Sequence, residues 1–277
     1  MGECTLQCFG VGDGWPSSDR SHSAFLYRLG ESTILVDCGE PVGRSLKGTG
    51  YSYDAIDRIL LTHLHFDHIG GLFMLLQGFW LEGRRRPLTL HLPAEGIAPI
   101  RQMLEAGYLF PELFPFPMSF QAWDGQAAEL EGGIRVTPVR TSHLDRLRAA
   151  FSAKYPRPYA AYALVLEGVG LRIVHTGDVG SIDDLPPLLG APTDLLVCEL
   201  AHIELEPLLA FLRRQPIRRV VFVHLERPLW QDLDTTRQRI LEGLGTIPFT
   251  VARDGDRLDL GSSRAGCGAG GGCPGPA

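Results

Sequence analysis

Several strongly apolar runs in this chain end in a residue able to bind a metal ion. "RILLTH" ends at His63, "RIVHTGD" at Asp178, "LLVCE" at Glu199 and "VVFVH" at His224. Runs of consecutive apolar residues, too short for helices, mark strands covered on both faces. Such strands need a sheet sealed by other layers, and polar groups at their ends converge on one edge of it. "VTPVRTSH" adds His143 after a further strand.

One of these runs continues as "THLHFDHIGG" over residues 62–71. Three histidines and an aspartate fall within six positions there. His63 and His65 are two apart, so at a strand end their side chains leave on the same side. Asp67 and His68 follow at the turn before a helix, and Gly70 and Gly71 let the backbone pass close to a site. Four ligand-type groups in one turn are enough to feed two adjacent metal ions.

The rest of the pattern is α/β. Strands are expected at 5–10, 23–29, 32–39, 58–63 and 87–93, and helices at 71–83 and 94–107. The Pro- and Phe-rich stretch 108–120 reads as a loop packed by its aromatics, because proline removes donors and biases its neighbours to extended forms. Strand pairs turn at Gly132–Gly133 and Gly168–Gly170. Strands at 194–200 and 218–225 are each followed by a helix, at about 203–214 and 232–243. A closing hairpin is expected over 249–261, around Asp254–Gly255. Residues 1–261 read as one domain. Residues 262–277, "SSRAGCGAGGGCPGPA", have nothing to bury and read as a disordered tail, with Cys267 and Cys273 uncommitted.

Net charge is −6 and no apolar stretch is long enough for a bilayer span. An acidic balance argues against affinity drawn mainly from nucleic-acid phosphates. No export signal is evident, so a cytoplasmic protein with reduced thiols at Cys4, Cys8, Cys38 and Cys198 is expected.

"THLHFDHIGG", His143, "TGD" and "VHL", in that order, resemble the metallo-β-lactamase superfamily over residues 5 to about 260. The resemblance implies a four-layer αββα sandwich. It implies that His63, His65 and His143 hold one metal ion, that Asp67, His68 and His224 hold a second, and that Asp178 bridges them. Zinc suits this donor set, as do manganese and iron. A metal-bridging hydroxide is a nucleophile at neutral pH, and Asp67 is placed to orient it. Asp37, before Cys38, resembles the residue that holds a ligand histidine from behind.

Within the superfamily the chain is similar to the RNase Z-like branch of phosphodiesterases. The loop "GVGDGWPSSDRSHSAFLY" (10–27) and the run 68–96 carry that likeness. Two features depart from it. Only 34 residues lie between His143 and Asp178, leaving no room for the long arm with which RNase Z grips tRNA. Cys198 stands where RNase Z has a histidine, although Glu199 is kept. His202, three residues on, is read as the replacement proton donor, steadied by Glu199.

The expected activity is therefore metal-dependent hydrolysis of a small phosphodiester, such as a cyclic nucleotide or a nucleotide derivative. The alternatives are a lactone, carboxylic or sulfate ester hydrolase with the same site, and an RNA 3′-end endonuclease. Arg146, Arg148, Lys154, Arg157 and Tyr159 follow His143 and are candidates for holding phosphate or stacking on a base, with His22 near the pocket. His175 is read as structural or as a support for the ligands, and His91 as a strand-surface residue. A small-molecule substrate is expected, no long nucleic acid and no membrane. Related phosphodiesterases are often dimers.

Overall fold

A computed structural model describes residues 2–261. The expectation for the 262–277 tail lies outside the described residues. The chain folds into two mixed seven-stranded sheets packed face to face, with helices on both outer faces. This is the αββα sandwich expected from the resemblance.

The first sheet comes mainly from the N-terminal half. Six of its seven strands are β1 (Cys4–Gly10), β2 (Ala24–Leu29), β3 (Ser32–Val36), β4 (Arg58–Leu60), β5 (Leu88–Pro93) and β6 (Met118–Trp123). β1, β2 and β3 run antiparallel, and β3 through β6 are parallel. On this side lie helices α1 (Val42–Gly48), α2 (Phe66–Ile69), α3 (Leu72–Leu81) and α4 (Ala94–Ala106). The second sheet repeats the plan. β7 (Ala128–Leu130), β8 (Ile134–Thr141), β9 (Ala161–Gly168) and β10 (Leu171–His175) are antiparallel. β11 (Leu195–Leu200), β12 (Val220–Leu225) and β13 (Phe249–Val251) continue from β10 in parallel. Its helices are α5 (Asp145–Phe151), α6 (Pro186–Leu189), α7 (Leu205–Leu212), α8 (Arg227–Gln231) and α9 (Leu233–Leu244).

Three buried layers follow from this plan. Leu6, Phe25, Ile34, Leu164, Ile173 and Val197 meet between the sheets. Leu35, Ile59, Leu72, Leu76 and Ile100 seal the first sheet under its helices. Leu196, Phe222, Leu208, Leu212 and Ile240 do the same for the second. The unbroken apolar runs are thus explained, because β4, β11 and β12 are covered on both faces.

Two expectations are corrected. The stretch 108–120 is not loop throughout, since Met118–Trp123 adds an edge strand parallel to β5. The segment 249–261 is not a hairpin. β13 pairs with β12, while β14 (Arg257–Asp259) crosses to the other sheet and pairs with β1. Between them the chain is pulled across by β1: Gly255 N donates to Cys8 O, and Cys8 N to Asp256 O, each at 2.8 Å. A turn signal specifies a reversal of direction, not the strand that receives the returning chain. Cys4, Cys8, Cys38 and Cys198 are buried and form no disulfide among the described residues.

Candidate metal centre

β4 stops at Leu60, and the next eight residues cross the end of the sandwich. His63 and His65 lie in the loop, and Asp67 and His68 lie on the short helix α2. This turn is clasped from behind. Cys38 N donates to His68 O at 2.6 Å and Gly71 N to Cys38 O at 2.8 Å. A Cβ on Gly71 would stand 2.8 Å from Gly39 O, and one on Gly39 would stand 2.3 Å from Asp67 O. The two segments approach more closely than any side chain would permit.

The other sheet brings the remaining groups to the same place. His143 follows β8, and Asp178 lies in the loop after β10. His224 sits in β12 at an irregularity, where the register with β11 shifts between Glu199 and Leu200. Its φ is 51°, in the left-handed region, a conformation that costs a non-glycine residue on the order of 1–3 kcal/mol. The strain is held by His224 N donating to Val11 O at 2.8 Å.

Two groups of four result, His63/His65/His143/Asp178 and Asp67/His68/His224/Asp178. Within each, one donor atom per residue lies within 4.8 Å of all the others. Around the Asp178 carboxylate, Nε2 of His68, His224, His143 and His63 stand at 3.3, 3.5, 3.6 and 3.7 Å. Donors held about 2.0–2.1 Å from a tetrahedral zinc are about 3.3 Å apart. His63 Nε2, His68 Nε2 and Asp178 Oδ1 are buried without a hydrogen-bond partner among the described residues. Buried polar atoms are ordinarily satisfied, so a cluster of orphaned donor atoms fits metal ions.

The far ring nitrogens are occupied. His68 Nδ1 lies 2.7 Å from Asp37 Oδ2, and His63 Nδ1 lies 3.1 Å from the Thr62 hydroxyl. Thr62 also donates to Asp37, through N at 2.8 Å and Oγ1 at 2.9 Å. His224 Nδ1 lies 3.1 Å from Ser23 Oγ. These partners turn Nε2 of each ring toward Asp178. Asp37 itself has φ 57°, a second strained residue at the site.

Burial, and then the neighbouring histidines, keep His63 neutral, with a pKa well below the ordinary range. Burial likewise lowers His143 to about 4 and lowers His65. Neutral imidazoles are what a metal needs. For His68 burial also opposes charge, but Asp178 and Asp37 outweigh it and raise the pKa. Asp178 is held well below the carboxylate range: burial acts against ionisation, and His224 and His68 overcome it.

His202 completes the site. Its Nδ1 is 3.0 Å from Glu199 Oε1 and 3.9 Å from Asp178 Oδ2. Burial disfavours its charge, yet the Glu199 hydrogen bond and charge raise its pKa to about 9. Glu199 is itself fixed by Val179 N, Ala201 N and His202 N. The His202 ring is thus tied, through Glu199, to the Asp178 loop.

The six substrate-binding candidates separate. Arg146, Arg148, Lys154 and Arg157 are exposed on α5 and the loop after it, and Arg148 pairs with Asp145 at 3.2 Å. Tyr159 is a correction: it is buried, its hydroxyl donates to Tyr155 O at 2.9 Å, and its ring packs on Leu144 and Ala161 rather than awaiting a base. His22 is half-buried, with Nδ1 2.9 Å from Asp13 O, beside the Gly39–Asp67 contact. Of the remaining histidines, His91 is not on the surface. It is buried and stacked on Trp123 at 4.9 Å. His175 is buried against Phe25, with Nδ1 2.9 Å from the Tyr27 hydroxyl.

Sequence reasoning missed the groups that brace the ligands: Thr62, Ser23, Arg20 and Asp254. Arg20 is buried and donates to Leu225 O beside His224. Asp254 accepts from Val11 N and Ser21 N, pinning both ends of the glycine-bearing loop. Only Thr62, next to His63, carried a signal. The others act across more than 200 residues of chain.

Two sheets with a His/Asp cluster at one edge define a metallo-β-lactamase fold. YhfI from Bacillus subtilis, described as a metallo-β-lactamase fold protein, superposes with a TM-score of 0.73 at 20% identity, covering 93% of this chain and 99% of that one. Zn(2+)-bound PqqB from Methylobacterium extorquens gives 0.70 at 18%, covering 92% and 99%. A diphosphatase from the PhnP family gives 0.66 at 17%, covering 94% and 99%. The chain belongs to the family described as "Anti-Pycsar protein Apyc1", whose model matches residues 4–191. A curated ribonuclease Z from Methanococcus maripaludis is 37% identical over 99 residues, 36% of this chain and 32% of that protein. One from Bradyrhizobium diazoefficiens is 33% identical over 150 residues, 53% and 50%. The chain thus spans a third to a half of these relatives' length. A ribonuclease Z from Natronomonas pharaonis matches 91% of this chain and 96% of its own, at 25% identity. No helix among the described residues is long and apolar enough to cross a membrane.

Proposed function

We propose that this protein is a metal-dependent hydrolase that cleaves a small phosphodiester, such as a cyclic nucleotide or nucleotide derivative. His63, His65, His143 and Asp178 would hold one divalent ion, and Asp67, His68, His224 and Asp178 a second, with zinc the best match to the donors. When bound, the ions supply Lewis acidity and a water activated at neutral pH.

The observation that carries the reading is the His202–Glu199 pair beside Asp178. An alkoxide leaving a phosphodiester is a poor leaving group and needs a proton. His202 holds one, and Glu199 fixes both the ring and its charge. Asp67, whose Oδ2 is 3.4 Å from His68 Nε2, would help hold the second ion and is placed to orient a water there. Two exposed rings flank Asp67: Phe66, 83% accessible, precedes it, and Trp15 follows Gly14, whose Cβ position is 3.3 Å from Asp67 Oδ2. They offer a planar base a stacking surface. Arg146, Arg148, Lys154 and Arg157 offer charge to phosphate.

The names ribonuclease Z and diphosphatase among the relatives support a bond to phosphorus as the target. The name ribonuclease Z also favours a second reading, an RNA 3′-end endonuclease. Against it stands the segment between His143 and β9, which holds only α5 and a nine-residue loop over 152–160. A lactone or other ester remains the third reading, since the same metal chemistry attacks carbonyls.

The test is turnover by zinc-loaded protein on bis(p-nitrophenyl) phosphate, a panel of cyclic nucleotides, a tRNA with a 3′ extension and a lactone. His65→Ala is the control. Cyclic nucleotides should be turned over fastest, with loss of turnover in the control. Preference for the lactone or the tRNA would overturn the assignment.

A further inference from the structure

The carboxylate of Asp184 belongs to none of the ligands, yet it joins the loops that carry two of them. Its Oδ2 accepts from Ser142 N at 3.0 Å, Ser142 Oγ at 2.9 Å and Gly180 N at 2.8 Å, and Oδ1 accepts from Ser142 N at 3.0 Å. Ser142 immediately precedes His143, and Gly180 lies two residues after Asp178. Asp184 is set by its own short turn, Ile182–Asp184, in which Ser181 and Asp184 form a reciprocal capping box.

The two loops are also in direct contact. A Cβ on Gly180 would stand 2.4 Å from Ser142 Oγ and 2.5 Å from Ser142 C. On the other side of the contact, Thr141 Oγ1 donates to Asp178 O at 2.8 Å. The His143 loop and the Asp178 loop are therefore fastened at two points, and the 3.6 Å gap between His143 Nε2 and Asp178 Oδ2 spans the fastened segment. His63, His68 and His224 each have a ring partner at Nδ1. His143 instead directs Nε2 toward His65 Nδ1, 3.2 Å away, and its placement depends on its backbone.

We propose that Asp184 is a positioning residue that sets the distance between His143 and Asp178, and with it the affinity for the ion these two share. This rests on the reading of both as metal ligands. Several hydrogen bonds converge on one carboxylate, and each bond to a charged acceptor is stronger than a neutral one. Removing a group hydrogen-bonded directly to a ligand typically costs 10–100-fold in metal affinity; Asp184 acts further back, through Ser142 and Gly180, so the lower end of that range is expected.

Zinc affinity of demetallated protein, measured by competition with a chromophoric chelator, tests this in a double-mutant cycle. Asp184→Ala should weaken the more affected ion by about 10-fold. Asp184→Asn, which keeps one acceptor oxygen, should weaken it less. In a His143→Ala background Asp184→Ala should cost less than it does alone, because one of the two ligands whose spacing it sets is gone. Additive losses across the cycle, or equal losses in Asp184→Ala and Asp184→Asn, would overturn the proposal. If Asp184→Ala does not fold, Ser142→Ala takes its place in the cycle. It removes one donor, should weaken zinc binding in the same His143-dependent way, and unchanged affinity overturns the proposal. Should His143→Ala alone leave zinc affinity unchanged, the ligand reading fails; should it weaken binding while Asp184→Ala does not, only the present inference fails.

Discussion

The two halves of the sandwich share a plan, antiparallel strands leading into parallel ones, but supply the site in opposite ways. The first half contributes His63, His65, Asp67 and His68 from one turn, braced by Asp37 and Thr62 within 31 residues of chain. The second contributes His143, Asp178, Glu199, His202 and His224 from four separate strand ends, 81 positions apart at the extremes. A ligand set on one turn is positioned by local backbone geometry. A dispersed set is positioned only by the packing of the sheet beneath it. The second half accordingly carries the Asp178 carboxylate shared by both groups and the His202–Glu199 pair beside it, so on the proposed reading errors there reach both candidate metal positions and the proton donor at once.

Asp178→Asn should be the most damaging single change. It should remove at least one ion per chain and lower turnover by about 10³-fold or more, since both ion positions lose a ligand. Metal analysis beside the phosphodiesterase assay checks it. A variant that keeps both ions and activity breaks the contrast between the halves.

His202→Gln should leave metal content unchanged and lower kcat on a cyclic nucleotide by about 10²–10⁴-fold. On bis(p-nitrophenyl) phosphate the loss should be much smaller, because p-nitrophenolate leaves without a proton. Equal losses on both substrates would remove His202 from proton donation.

Asp37→Asn probes the first half alone. It takes the carboxylate from behind His68 and from the Thr62 hydroxyl, and should weaken metal binding about 10–100-fold, measured by chelator competition. Chain unfolding in urea should separate this loss from a general one.

The smallest expected effect concerns stability and acid. His91, in the first sheet, is buried against Trp123, and burial lowers its pKa to about 4. Unfolded, it titrates near 6.5. The folded state therefore requires the neutral ring: its contribution is fully present above pH 6.5 and is lost as pH falls toward 4. His91→Phe should flatten that part of the acid limb by about 1–3 kcal/mol, read from urea unfolding of metal-free protein at pH 7 and 4.5. His175 in the second sheet, also lowered to about 4 by burial, should show the same sign. If neither variant flattens the limb, the two sheets are not held by neutral buried histidines.

The chain order of apolar runs and polar ends was enough to place β4, β11 and β12 and to single out His63, His65, Asp67 and His68. Short-range periodicity and side-chain chemistry are printed in adjacent letters. The same letters made His91 a surface residue, because strand alternation does not say which face another layer covers. They put Tyr159 in a binding loop, because a loop's composition does not reveal which ring turns inward. They made a hairpin of 249–261, because the Asp254–Gly255 turn says nothing of the competition between a neighbouring strand and β1.

What the sequence by itself determined is the inventory: strands sealed on both faces, a metal-binding turn, and candidate partners with the right donor atoms. The resemblance named His143, Asp178, His224 and the Glu199–His202 pair as partners of that turn; only the tertiary structure gave the distances at which they meet it, and showed that Asp184 fastens the His143 and Asp178 loops together. Donor identity is a property of single residues, readable one at a time. Distances between donors arise from the register and packing of two sheets, where strained residues such as His224 and Asp37 are held by contacts from distant parts of the chain.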